Sequence, residues 1–468
     1  MACICSDYLN GYFAIVGEKE WDPVPNEQRL VKGPAEVPSN APPAESDWAM
    51  FRGNPKRSSA TSAQGPLSPK LAWKTKVADW PVGHLVEDWK ALETTAGVIS
   101  APTSAAGKVF VAVPDQHQVR AFDAKTGQPA WAFTTGARVN SPPTIHDGLC
   151  LFCGQDGWCY CLTADKGEPV WKFLAARSEK KIAVQSQLES VWPVPGSVMI
   201  HKGQVVVVAG RQSGMDQGMV LYHLDVRTGN AQGSARIWND PDAPTAGPKG
   251  NAGYQPIDRR VNDLLVRDGV KPHLLTVPLE DGYSTDELVD TANFFQARGH
   301  HNRNTGNKTP PQLLWASSNG FITGHNESVG RFDEGLMCYA NKLRAARIAF
   351  DDRLIIQWGI RGKDKGPGYE MKQGAVNLET AVTLDADLWK SLEGTTFQTR
   401  AVGSARSLVL SANAIYYGGS KQIVIVDRAT HKESARLNLP APLIRDGLAV
   451  AGGRLIAACE DGSIACFE

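Results

Sequence analysis

The sequence predicts an all-β protein, a β-propeller of four-stranded blades closed by pairing of its N- and C-terminal strands. Three observations carry this. Residues 98–173 hold two tandem copies of one unit, with Ser100 and Ser141 41 residues apart and Trp131 and Trp171 40 apart. A self-similar period of about 40 residues marks a chain of stacked β-blades. Each copy breaks into short apolar runs punctuated by turn residues, the pattern of four brief strands. The final repeat, 443–467, lacks an outer strand of its own, which the early run 71–77 can supply.

The elements follow in chain order. Residues 1–46 read as an N-terminal segment and a Pro-rich linker, punctuated by Pro23, Pro25, Pro34, Pro38, Pro42 and Pro43, a composition that favours extended chain over packed structure. The opening residues lack a basic start, and Ser6, Asp7 and Asn10 interrupt the apolar run, so they do not form a signal peptide; the start reads as that of a truncated chain. The propeller takes residues 47–468, with 71–77 as its first strand and 79–95 as a loop or short helix. In the first repeat unit, 109–113 and 118–122 are strands. The turn D-A-K-T-G follows, in which the Asp123 carboxylate accepts backbone N–H bonds and Gly127 supplies a positive φ. Trp131 then falls on an outer strand, where its indole fills the gap to the next blade. Asp165, Gly167 and Trp171 take the same docking role in the second unit.

Beyond the two clean copies, 205–208 and 219–225 are strands of a third blade, and 230–258 reads as a long surface loop. Residues 263–266 and 273–277 start another blade. Residues 407–410, 414–417 and 422–427 make a later one, and 443–467 the last. The count is seven or eight, according to whether 261–346 holds one blade or two; eight is expected.

Charge limits the function classes. Lys and Arg together number 49, as do Asp and Glu, so the chain has no net charge to attract nucleic acid. No apolar run approaches the roughly 18 residues of a membrane-spanning helix. No G-x-S-x-G, H-E-x-x-H or Walker-type motif is present.

The run A-F-D-A-K-T-G-Q-P-A-W (121–131) resembles the tryptophan-docking motif of propellers similar to pyrroloquinoline-quinone (PQQ) dehydrogenases, a superfamily that also holds outer-membrane-protein assembly lipoproteins. W-A-M-F-R-G-N-P-K-R-S (48–58) resembles the segment that opens many bacterial members, and 206–225 resembles a recurrent blade of planctomycete-type PQQ-like repeat proteins. The resemblance implies eight blades and a place outside the cytoplasm, in the periplasm or cell envelope. It also raises PQQ with calcium as a cofactor. The enzymes of the group place adjacent cysteines over the quinone and hold calcium with carboxylate and amide oxygens. This chain has no Cys-Cys pair and no calcium set assignable by motif, so no cofactor is expected. The functional expectation is a non-catalytic binding or scaffold module for a protein or polysaccharide partner. The alternative is a degenerate quinoprotein oxidoreductase or another sugar-active propeller enzyme.

Two clusters invite chemistry. Cys150, Cys153, Cys159 and Cys161 fall within twelve residues. Cys150 and Cys153 sit three apart on one strand and point to opposite faces, and Cys159 and Cys161, two apart, are too distant for an unstrained disulfide. They read as small buried residues rather than a zinc site. The Gly-rich run 210–218 interrupts a blade. With Trp192 and His301, its Arg211, Ser213 and Asp216 form the candidate ligand surface at one rim of the channel: a planar cation, an acid and an aromatic face suited to carboxylates or sugar hydroxyls. The competing reading is an Arg211–Asp216 pair that braces the loop.

Overall fold

The computed structural model describes residues 23–39, 42–83, 97–184, 187–211, 216–237, 262, 264 and 405–468 except 421 and 431, together with short strands between Leu265 and Glu370. Each blade is an antiparallel meander. The first pairs β3 (Thr103–Ala105), β4 (Lys108–Val113), β5 (Gln118–Asp123) and β6 (Pro129–Thr134) in that order. The second pairs β7 (Thr144–His146), β8 (Leu149–Cys153), β9 (Trp158–Thr163) and β10 (Pro169–Leu174). The same order recurs in Met199–His201, Gln204–Ala209, Met219–Asp225 and Ala231–Ile237, and again in the four strands between Ala405 and Asn438. The outermost strand of the third blade, Ala231–Ile237, lies where a loop was expected. Its side chains are almost all exposed, so no apolar alternation marks it, and backbone pairing to Met219–Asp225 holds it. The remainder of that expected loop, and the expected loop or helix at 84–95, lie outside the described residues. The expected eight blades rest on a stretch that is also largely outside them.

Closure occurs as the final repeat requires. β2 (Leu71–Lys76) pairs with Ser463–Phe467, placing Trp73 opposite Cys466 and Thr75 opposite Ile464. Lys70 and Glu468 exchange backbone bonds at 2.8 and 3.0 Å, so neither end leaves a bare edge at this seam.

Blades stack through alternating apolar faces. One cluster joins Val109 and Phe122 of the first blade to Ile456, Ile464 and Phe467 of the closing blade and to Tyr416 and Ile425 of the blade before it. A second joins Phe110 and Val119 to Phe152 and Leu162, and a third joins Cys153, Cys159 and Phe173 to Val205, Val207 and Tyr222. Within each strand, successive side chains face opposite neighbours, so the described central strands are largely apolar on both sides.

The segment W-A-M-F-R-G-N-P-K-R-S lies across the inner ends of the blades. Trp48 exchanges backbone bonds with Ser104 at 2.7 and 2.9 Å, Ala49 accepts from Ile145 at 2.7 Å, and Ser59 accepts from Leu410 at 2.9 Å. Arg57 is fully buried and donates to the carbonyls of Phe51, Val198 and Leu265 at 3.0–3.1 Å. Burial lowers its guanidinium to about 9. Arg52 forms a buried ion pair with Asp446 at 3.3 Å. The inner strands of separate blades are thereby tied to one strip of chain.

The Pro-rich stretch is packed rather than loose where it meets the second blade. β1 (Leu30–Lys32) adds a fifth strand to β10, and buried Arg29 donates to the carbonyls of Leu174 and Ala176 at 2.8 and 2.7 Å. Three residues without an apolar period are invisible to pattern reading, yet an edge strand accepts them by backbone bonds alone.

Candidate functional site

The docking tryptophans set the spacing of the site. In each of three successive interfaces an outer-strand indole donates to the carbonyl just inside the next blade's tight turn: Trp73 to Ala124 at 3.1 Å, Trp131 to Ala164 at 3.0 Å and Trp171 to Val226 at 3.1 Å. The turn glycines lie flat on these rings. A Cβ at Gly127, Gly167 or Gly229 would come within 2.4–2.7 Å of Trp73, Trp131 or Trp171, and all three have φ near +70°. Asp123 caps its turn as expected, accepting from the N–H groups of Lys125 and Thr126 at 3.0 and 2.8 Å. Asp165 does not. It reaches back to Lys108 at 2.6 Å, an inter-blade ion pair, because the position equivalent to Asp123 is Thr163. Trp171 is buried at 2 % exposure, but Trp131 is half-buried, because the fifth strand β1 covers only the former: Leu30 packs at the Trp171–Gly229 dock.

Because strands alternate in direction, the β4–β5 and β8–β9 turns share one face of the ring with the connections between blades. A hairpin inserted after the second blade, β11 (Lys181–Val184) and β12 (Gln187–Ser190), arches over this face. Its Gln187 bonds Asp115 at 2.9 Å and His117 at 3.0 Å on the first blade. Its Glu189, 2 % exposed, holds two buried arginines: Arg138, from the connection between first and second blades, at 3.1 Å through Nε, and Arg211 of the third blade at 3.0 Å. Glu189 thus braces Arg211 from a second, distant element. Trp192 is buried and donates through Nε1 to the Asp216 carbonyl at 2.7 Å, so Trp192, Arg211 and Asp216 do come together. Ser213 and His301 lie outside the described residues. Nothing in the sequence flagged Glu189, since a single acid in a polar hairpin carries no motif.

Beside this network a groove of about 550 Å³ opens between the first and second blades. Phe133 of β6 forms one wall, Trp158, Tyr160 and Lys172 the other, and Val31 of the fifth strand the outer lip. The Lys172 ammonium sits 4.3 Å over the Trp158 ring. At the groove's inner end Asp156 accepts from the Tyr160 hydroxyl at 2.5 Å and from the N–H groups of Gly136 and Trp158 at 2.9 and 3.1 Å. Burial lifts the Asp156 carboxyl above its ordinary range, against the opposing pull of those bonds. The same turn is stitched to the arginine network: Gln155 donates to Arg138 O and accepts from Ser190 N at 2.8 and 2.7 Å. Such a groove offers aromatic faces, a cation and a rigid polar end.

Ring closure, four-stranded blades and indole docking define a β-propeller. Residues 62–252, less than half of the chain, match the family described as outer membrane protein assembly factor BamB. No curated protein matches the chain. Among solved structures, the quinohemoprotein alcohol dehydrogenase of Comamonas testosteroni is 11% identical with a TM-score of 0.47, over 90% of this chain and 80% of its own. BamB of Moraxella catarrhalis is 11% identical with a TM-score of 0.30, over 86% and 97%. A europium-containing methanol dehydrogenase is 12% identical with a TM-score of 0.42, over 88% and 89%. Among the described residues no helix is long and apolar enough to cross a membrane.

Proposed function

We propose that the chain is a non-catalytic binding propeller of the cell envelope, and that the groove between its first and second blades receives an extended segment of a partner protein. The observation that carries this is β1. On the second blade a three-residue stretch with little apolar character joins the outer strand by antiparallel backbone pairing. On the first blade the outer strand β6 has no fifth strand among the described residues, and its residues Phe133 and Thr134 line the groove. A guest strand on β6 would take the position that β1 takes on β10. Backbone bonds would supply affinity, and the aromatic wall would select alternate side chains. The matched family's description as an outer-membrane assembly factor supports a protein partner and an envelope location. Arg211 and Asp216, with Trp192 from the segment after β12, border the same face and would add a second contact.

The proposed reading requires no calcium-bound quinone. No three His, Cys, Asp or Glu side chains converge among the described residues. The two buried carboxylates of the loop face are engaged, Glu189 by arginines and Asp156 by Tyr160 and backbone amides. The test is a library of random linear peptides displayed on phage and panned on the intact chain. Binders that protect the amides of 130–134 from hydrogen exchange are expected. Protection confined to other blades, or dye reduction that appears on adding PQQ and Ca2+, would overturn the reading.

A further inference from the structure

We infer that Cys153 and Cys159 are a site of oxidative cross-linking, joined as a cross-strand disulfide when the chain folds in an oxidising compartment. The two residues are direct partners in the β8–β9 ladder. Opposed residues of an antiparallel pair have Cα atoms roughly 4.5–5.5 Å apart, within the span a disulfide needs. The Cys153 thiol already donates to Cys159 Sγ at 2.8 Å. Among the described cysteines no other two are opposed: Cys150 faces Leu162, Cys161 faces Leu151, Cys466 faces Ile456 and Cys459 faces Leu443. Reading along single strands missed this pair, because the two residues meet across a hairpin and not within a strand.

The position gives the bond a purpose. Residues 154–158 between the two cysteines form the turn whose Gln155 bridges Arg138 to Ser190 and whose Asp156 ends the groove. A disulfide at its base closes that turn covalently and fixes the frame on which the loop face is built. The chemistry balances as an exchange. Each thiol loses a proton, the sulfur–sulfur bond forms, and two electrons pass to a disulfide-bearing oxidant, whose own bond is reduced to two thiols. Both cysteines are buried at 1 % exposure against Val205 and Val207 of the third blade, and burial holds the Cys153 thiol well above its ordinary value. The Cys153 thiolate is therefore scarce in the folded chain. The bond forms while the blade is assembling, before the third blade covers it, and is then shielded from reductant.

The experiment produces the intact chain twice, once exported to an oxidising periplasm and once in a reducing cytoplasm. Each sample is denatured in an alkylating reagent, digested and mapped by mass spectrometry. The exported chain should yield a peptide linking Cys153 to Cys159, with both residues lost from the alkylated pool. It should resist dithiothreitol until denaturant is added. The cytoplasmic chain should yield both residues alkylated. Fully alkylated Cys153 and Cys159 from the exported sample, or links that join these residues to other cysteines in equal yield, would overturn the inference.

Discussion

The Trp171 indole on β10, the fourth strand of the second blade, donates to the Val226 carbonyl of the third at 3.1 Å, and Gly229 lies against the face of the same ring. One side chain thus fixes both the distance and the rotation between neighbouring blades. Burial of the ring supplies most of the stabilisation, and the N–H bond sets its direction.

Replacing Trp171 by Ala should destabilise the chain by about 3–5 kcal/mol, as for a large aromatic removed from a core. Trp131→Ala should cost clearly less, because that ring is half-buried although its hydrogen bond is equivalent. Urea melts of the two variants decide this. Equal losses would show that burial by the fifth strand adds nothing to the dock.

Glu189→Gln should be severe for its size. It leaves Arg138 and Arg211 buried without their shared carboxylate, and breaking a buried ion pair on one side costs roughly 3–5 kcal/mol. Chemical denaturation compared with the parent reads the loss directly. A variant within experimental error of the parent would mean that the network is solvated and does not brace the loop face.

Asp156 should give the protein a pH dependence of definite sign. Burial raises its folded pKa above the ordinary 3.8, so between that value and the raised one the folded chain holds a proton that the unfolded chain has lost. Stability from this group is therefore complete at low pH and falls as pH rises through the window, levelling off above the folded pKa. Asp156→Asn cannot ionise and should flatten that part of the profile, which begins near the ordinary 3.8 and ends at the raised folded value. Denaturant midpoints collected across the range test it; parallel curves for parent and variant would remove Asp156 as the source.

The blade repeat was legible because it is written in residues with fixed conformational duties. The turn glycine must adopt positive φ against a ring, the Asp or Thr must cap, and the Trp must recur one blade later, so the 40-residue period survives as text. Closure was legible for a related reason: a last repeat short of one strand requires another segment to complete its sheet. The groove was not legible. Phe133, Trp158 and Val31 belong to three elements spread over more than a hundred residues, and none carries a motif. Arg211 was noticed, but Glu189 beside it was not, since the two are far apart in sequence and near in space.

The sequence by itself determined the repeat, the four-stranded blade, the docking of indoles on turn glycines and the closure of the ring. Each of these rests on local conformation or on a spacing that one blade imposes on the next. Tertiary structure decided which residues meet across blades. The Pro-rich stretch became a fifth strand because an open sheet edge accepts backbone bonds whatever the side chains. The inserted hairpin became a brace because buried arginines from two blades require a carboxylate between them. Cys153 met Cys159 because antiparallel register, which no single strand reveals, sets them face to face.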